Sequence, residues 1–135
     1  MKSDDELTEK IIGGAIEIHR ALGPGLLESI YEECLVVELG LRGLEFERQK
    51  SISIDYKGRR VAAELRIDLL VERRVIFELK AVEKLLPVHE AQLLTYMRLC
   101  QVRFGLLINF NVPVLKDGLK RLVNGFASVP RCLCG

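Results

Sequence analysis

A chain of 135 residues that is 49% hydrophobic and 29% charged can bury a core of its own, which excludes a disordered or low-complexity protein. No apolar run reaches the length of a membrane span and no basic-then-apolar leader opens the sequence, so a cytoplasmic protein without membrane association is expected. The net charge of +1 is divided unevenly: residues 1–40 carry a net −6 and the remainder a net +7. A basic portion of that size suits a phosphate-bearing partner, and a solvated acidic helical face would give the same division.

In chain order, residues 5–22 read as a helix, with Leu7, Ile11, Ile12, Ala15, Ile16, Ile18, His19 and Leu22 at steps of three and four. Gly23-Pro24-Gly25 ends it, and a second helical pattern runs to about Arg42. The period then changes to two, predicting strands over about 45–56, 60–71 and 74–82, with a turn at Lys57-Gly58. Pro87 opens a helix over about 88–101. Arg103–Phe110 is a short apolar run of the kind that forms a fully buried strand. Leu115–Phe126 reads as one more short helix.

This order predicts an α/β (α+β) architecture: a mixed sheet of about four strands, a meander plus a crossover strand, flanked by helices. Residues 1–135 form a single domain in this reading, with loose tails at 1–6 and 127–135. The four cysteines, Cys34, Cys100, Cys132 and Cys134, lack the spacing of a zinc site and are expected to be apolar or terminal residues.

The densest chemistry lies between Asp68 and Lys80. On a strand, Glu78 and Lys80 share a face while Leu79 points into the core. If the hairpin loop is Glu72-Arg73-Arg74, Asp68 falls opposite Glu78; a two-residue loop sets it against Phe77 instead. A bare acid-x-Lys triplet arises by chance about once in a chain of this length. The strand context and the upstream Asp68 are what distinguish this one. A buried structural Glu–Lys pair gains little after desolvation, so a site is the preferred reading.

Two further patterns fall on helices. Gly25-x-x-Glu28-x-x-Tyr31 puts Glu28 and Tyr31 on one face at the start of the second helix, where an acid also favours the helix dipole. Gln92 and Tyr96 lie one turn apart on the helix after Pro87. His19 sits on the apolar stripe of the first helix, where a core histidine with a backbone partner is the commoner outcome; His89 suits a surface or capping role.

The segments GPGLLESIYEE, ELRIDLLV, IFELKAVEKLLPVHEAQLLTYM and GLLINF, in this order, resemble the bacterial GxxExxY protein family of the PD-(D/E)XK nuclease superfamily, over about residues 7–126. The resemblance implies a restriction-endonuclease-like core. It implies that Asp68 is the first strand carboxylate and that Glu78 and Lys80 form the (D/E)-x-K pair. Glu28 corresponds to a helix acid that some members add to the metal shell. Gln92 and Tyr96 match the QxxxY motif of the recombination-associated branch, where a histidine on the first helix also ligates metal, here His19. Ile67 replaces the proline of the PD motif.

Such a site would hold Mg²⁺ or Mn²⁺ through Asp68, Glu78 and the Leu79 backbone carbonyl, with Glu28 and His19 as further candidate ligands. Asp68, Glu78, Lys80, Gln92, Glu28 and Tyr96 are then the candidate catalytic residues of a hydrolase. The expected activity is metal-dependent cleavage of nucleic acid, with DNA the expected polymer. The alternatives are a nuclease-like module that binds nucleic acid or a partner protein without cutting, and a structural subunit with an incidental charge cluster. Between Arg42 and Arg60 six basic side chains face three acidic ones. Arg48, Lys50, Arg59 and Arg60, with Tyr31, are the expected nucleic-acid contacts, or else charges that protect a sheet edge. The oligomeric state stays open, a homodimer included.

Overall fold

The computed structural model describes residues 3–125, apart from the side chains of residues 62–64. The elements are α1 (Asp4–Leu22), α2 (Glu28–Leu41), β1 (Phe46–Tyr56), β2 (Arg59–Val71), β3 (Val75–Lys80), α3 (Pro87–Leu99), β4 (Phe104–Asn109), a 3-10 turn (Leu115–Gly118) and β5 (Leu119–Val123). The sheet is mixed and runs β1-β2-β3-β4-β5, with only β3 and β4 parallel. Helices α1 and α2 pack on one face through Leu7, Ile11, Tyr31 and Leu35, against Phe77, Leu79, Ile108 and Phe110. The other face carries α3, whose Leu93 and Met97 pack with Ile67, Ile76 and Leu107. Covered on both sides, β3 and β4 read as continuous apolar runs, as the parallel centre of a sheet must.

Residues 3–6, expected to be part of a loose tail, form the cap and first turn of α1. The Ser3 hydroxyl accepts the Glu6 N–H at 3.1 Å, and Asp4, Asp5 and Glu6 occupy the first turn of α1, where the helix dipole favours acids. Asp4 also pairs with Arg74 of the β2–β3 loop. The expected loose segment 127–135, with Cys132 and Cys134, lies outside the described residues.

The last element departs from expectation, since Leu119–Val123 is a strand and not a helix. Leu115, Leu119 and Leu122 have helical spacing, but β4 would otherwise leave a row of unpaired backbone groups at its edge. β5 covers that edge antiparallel, from Ile108↔Leu119 to Phe104↔Val123. Gly118 permits the return, because a Cβ there would collide with the Asn109 carbonyl oxygen. The described sheet therefore has five strands, one more than the pattern suggested.

The β2–β3 loop is the three residues Glu72-Arg73-Arg74, giving Val71↔Val75, Leu70↔Ile76 and Leu69↔Phe77. Glu72 and Arg73 take φ of 53° and 56° without glycine. Bonds to a neighbouring segment hold that geometry: the Glu72 carboxylate accepts the Glu45 N–H at 2.6 Å, and the Glu72 N–H donates to the Glu45 carbonyl at 2.8 Å.

Tyr31 is fully buried. Its ring stacks on Phe110 with centroids 4.5 Å apart. Its hydroxyl donates to the Gly23 carbonyl at 2.6 Å and accepts the Leu26 N–H at 3.2 Å. The Gly25-x-x-Glu28-x-x-Tyr31 spacing thus has a structural cause. Gly25 supplies φ of 101° in the α1–α2 loop, and Tyr31, in the first turn of α2, returns to tie that loop down. Tyr31 is a core anchor and cannot contact nucleic acid as the sequence suggested. Tyr31→Phe keeps the stack and removes both hydrogen bonds. Urea unfolding should show a loss of about 1–2 kcal/mol, with nucleic-acid affinity unchanged; unaltered stability would contradict the anchoring role.

Candidate active site

Beyond Leu69↔Phe77 the β2–β3 ladder continues through side chains. The Asp68 N–H donates to Glu78 Oε2 at 2.7 Å, and Asp68 Oδ2 accepts the Leu79 N–H at 3.0 Å. Each carboxylate thus holds the main chain of the opposite strand, and the three-residue loop sets the register that lets them meet. Glu78 is buried and Asp68 half-buried. Burial, and then the neighbouring charge of Asp68, push the Glu78 carboxyl up to about 8. Burial also raises the Asp68 pKa; the Leu79 N–H, the charge of Lys80 and the Gln49 amide oppose the rise, while Glu32 adds to it.

Lys80 follows Glu78 by two residues on β3 and is half-buried. Tyr96 reaches the same region from α3. Its phenol pKa is raised first by burial and then by the charges of Glu78 and Asp68. Gln92 stands exposed one turn earlier on that helix. From the first turn of α2, Glu28 Oε2 accepts the Ala81 N–H at 3.4 Å, and its charge further raises Glu78. Glu28, Asp68, Glu78, Lys80 and Tyr96 therefore come from four elements to one end of β3. A cavity of about 550 Å³ at the β2–β3 loop, lined by Glu45, Phe46, Glu47, Leu70, Glu72 and Arg73, includes none of them.

Several expected residues are committed elsewhere. His19 is buried, and its Nε2 donates to the Val112 carbonyl at 2.7 Å, so it ties α1 to the loop after β4 and is not free on that nitrogen to ligate metal. His89 does cap α3, accepting the Leu86 N–H at 2.9 Å. Arg48 is held by Glu32 and Glu33 at 2.9 and 3.1 Å, and Lys50 by Glu47 at 3.1 Å. Arg42 bridges Glu17 and Glu38. These pairs engage half of the basic cluster, Arg42, Arg48 and Lys50, with carboxylates. Arg59 and Arg60 remain exposed at the β1–β2 hairpin.

The sequence reading passed over three polar residues. Asn109, in the apolar run of β4, accepts the Val82 and Asn111 N–H groups and donates to the Val82 carbonyl, fixing the chain just after Lys80. An amide in an otherwise apolar buried strand was its available signal. Gln49 donates to Asp68 and to Glu32, and no periodic pattern marks Gln49 or Glu32.

Among the described residues no three His, Cys, Asp or Glu side chains converge to hold an ion. A metal at this place would therefore rest on Asp68, Glu78 and the Leu79 carbonyl, with water completing its shell, and Glu28 stands outside that immediate set. The donors fit the hard cations Mg²⁺ and Mn²⁺, being oxygen only. They also bring together two carboxyl groups whose ionisation burial and mutual repulsion disfavour, a cost that a cation would relieve.

The profile of the PD-(D/E)XK nuclease superfamily matches residues 5–122, and the chain belongs to that superfamily. Its members are generally hydrolytic nucleases that use divalent metals. No curated protein and no solved structure matches the chain. No helix among the described residues is long and apolar enough to cross a membrane.

A carboxyl that is protonated in the folded chain and ionised in the unfolded one favours folding at low pH. With its folded pKa of about 8 above the ordinary 4.5, Glu78 contributes fully below the lower value, and that contribution is lost as the pH rises through the higher one. The unfolding free energy of the metal-free protein should fall between about pH 5 and about pH 9. Glu78→Gln should flatten part of that slope, leaving the part due to Asp68, whose shift has the same sign. Equal slopes in urea titrations of the two proteins would contradict the assignment.

Proposed function

We propose that this chain is a metal-dependent phosphodiesterase that hydrolyses nucleic acid, with DNA as its polymer. The observation that carries the reading is the Asp68–Glu78 pair, a half-buried and a buried carboxylate each bonded to the other strand's backbone, with Lys80 beside them. Asp68, Glu78 and the Leu79 carbonyl would hold Mg²⁺ or Mn²⁺, which when bound lowers the pKa of water and balances charge on phosphoryl oxygens. Lys80 positions the attacking water or stabilises the developing charge on the phosphoryl group. Tyr96 keeps its proton because its pKa is raised, so its hydroxyl can donate to a phosphate oxygen at the open side of the site. Gln92 presents an amide to the same strand. Glu28 fixes the chain leaving β3 through the Ala81 N–H.

A second reading, a nuclease-like module that binds a partner protein, is favoured by the outer face of α2. Leu27, Val37 and Leu41 there are 71%, 60% and 78% exposed. Cleavage separates the two readings. Single- and double-stranded DNA and RNA should be tested with Mg²⁺ and Mn²⁺, with loss of at least about a hundredfold in rate for Lys80→Ala. A wild type that binds Mn²⁺ and cleaves none of these polymers would leave the binding module.

Polymer affinity should rest on phosphate contacts and be weak and indifferent to sequence. With Arg42, Arg48 and Lys50 in ion pairs, this region offers Lys57, Arg59 and Arg60. At roughly 0.9 per phosphate neutralised, the slope of log K against log salt should be about −3 on duplex DNA, against about −5 for all six cations. Binding isotherms at several salt concentrations on unrelated sequences measure it. A slope near the steeper value would show that the ion pairs open on binding.

A further inference from the structure

We propose that Gln49 is a positioning residue for Asp68, held in place by the buried carboxylate of Glu32; the inference rests on the metal-centre reading of Asp68. The β1–β2 pairing is regular on either side, at Arg48↔Leu69 and Lys50↔Ile67, and Gln49, between them, takes φ of 47°. Strand β2 changes faces at the same level. Ile67 packs in the cluster under α3, and Leu69, two residues on, packs under α1 and α2. A non-glycine residue in the left-handed region, at the point where the opposite strand turns its face, is a constraint that the surroundings must hold.

They hold it through one amide. Gln49 Nε2 donates to Glu32 Oε1 at 2.8 Å and to Asp68 Oδ1 at 3.3 Å. Both partners are acceptors, so the nitrogen of the amide, and not its oxygen, must face them. Glu32 is only 8% exposed. It is fixed in turn by Arg48, whose Nε and Nη2 donate to Glu32 Oε2 at 3.2 and 2.9 Å. The chain of contacts runs Arg48, Glu32, Gln49, Asp68. With the Leu79 N–H on Oδ2 and Gln49 on Oδ1, the Asp68 carboxylate is held at both oxygens and keeps further acceptor capacity on each. A neutral donor between two carboxylates is what the place requires, since an acid at position 49 would repel both. Residues that orient a metal-binding carboxylate in this way govern affinity without touching the ion.

The test is Mn²⁺ binding to the full chain, followed by the loss of the free-ion magnetic resonance signal. Gln49→Leu should weaken Mn²⁺ about tenfold, the low end for residues that orient a ligand, measured at a temperature where the metal-free variant is folded. Glu32→Gln should weaken it less. Because Glu32 acts mainly through Gln49, with its own charge as a smaller direct effect, the double variant should lose less than the product of the two single losses. Should Gln49→Leu not fold, the loss in Glu32→Gln carries the test. Wild-type affinity in Gln49→Leu, or losses that multiply in the double variant, would overturn the proposal. A wild type that binds no Mn²⁺ would instead overturn the metal-centre reading, and this inference with it.

Discussion

Two hydrogen bonds cross the end of the β2–β3 ladder, from the Asp68 N–H to Glu78 and from the Leu79 N–H to Asp68. They put two carboxylates side by side in a half-buried place, where like charges raise each other's cost of ionisation. Such an arrangement persists only if the strands cannot slip. A one-residue slip would turn Glu78 to the opposite face of the sheet. The three-residue loop, Glu72 bonded to the Glu45 backbone, and the burial of Phe77 and Leu79 under α1 and α2 together prevent it.

The rest of the fold delivers side chains to that point. Tyr31 ties the α1–α2 loop, and so sets where α2 begins and where Glu28 reaches the chain after β3. Asn109 clamps Val82 across the parallel β3–β4 pair, which steadies the exit from Lys80. Helix α3 crosses the opposite face and brings Tyr96 toward the carboxylates. Part of the charge asymmetry seen in the sequence is consumed internally. Arg42 and Arg48 of the basic part pair with Glu17, Glu32, Glu33 and Glu38 of the acidic part.

Residues that act through local periodicity were legible in the sequence. Helical spacing marked α1, α2 and α3, alternation marked β1 to β3 and a continuous apolar run marked β4, so the Glu78-x-Lys80 face followed from position alone. The Asp68–Glu78 pairing was one of two registers, decided by a left-handed loop without glycine that turn statistics do not favour. What stayed hidden depended on distant partners. β5 is a strand because β4 has an edge to cover, against its own helical spacing. His19 lies on an apolar stripe whether it meets a metal or the Val112 carbonyl, and only the fold decides between them. The pairing of Arg48 with Glu32, and the approach of Gln49 to Asp68, join residues 16 and 19 positions apart that no short motif links.

Under the proposed function, Asp68 and Glu78 form the seat of a divalent cation. Crystals of the protein grown with Mn²⁺, with diffraction recorded at the manganese edge, would locate that ion. An anomalous peak roughly 2.0–2.6 Å from oxygens of both carboxylates is expected. Manganese bound elsewhere, with those oxygens touching only protein and water, would contradict it.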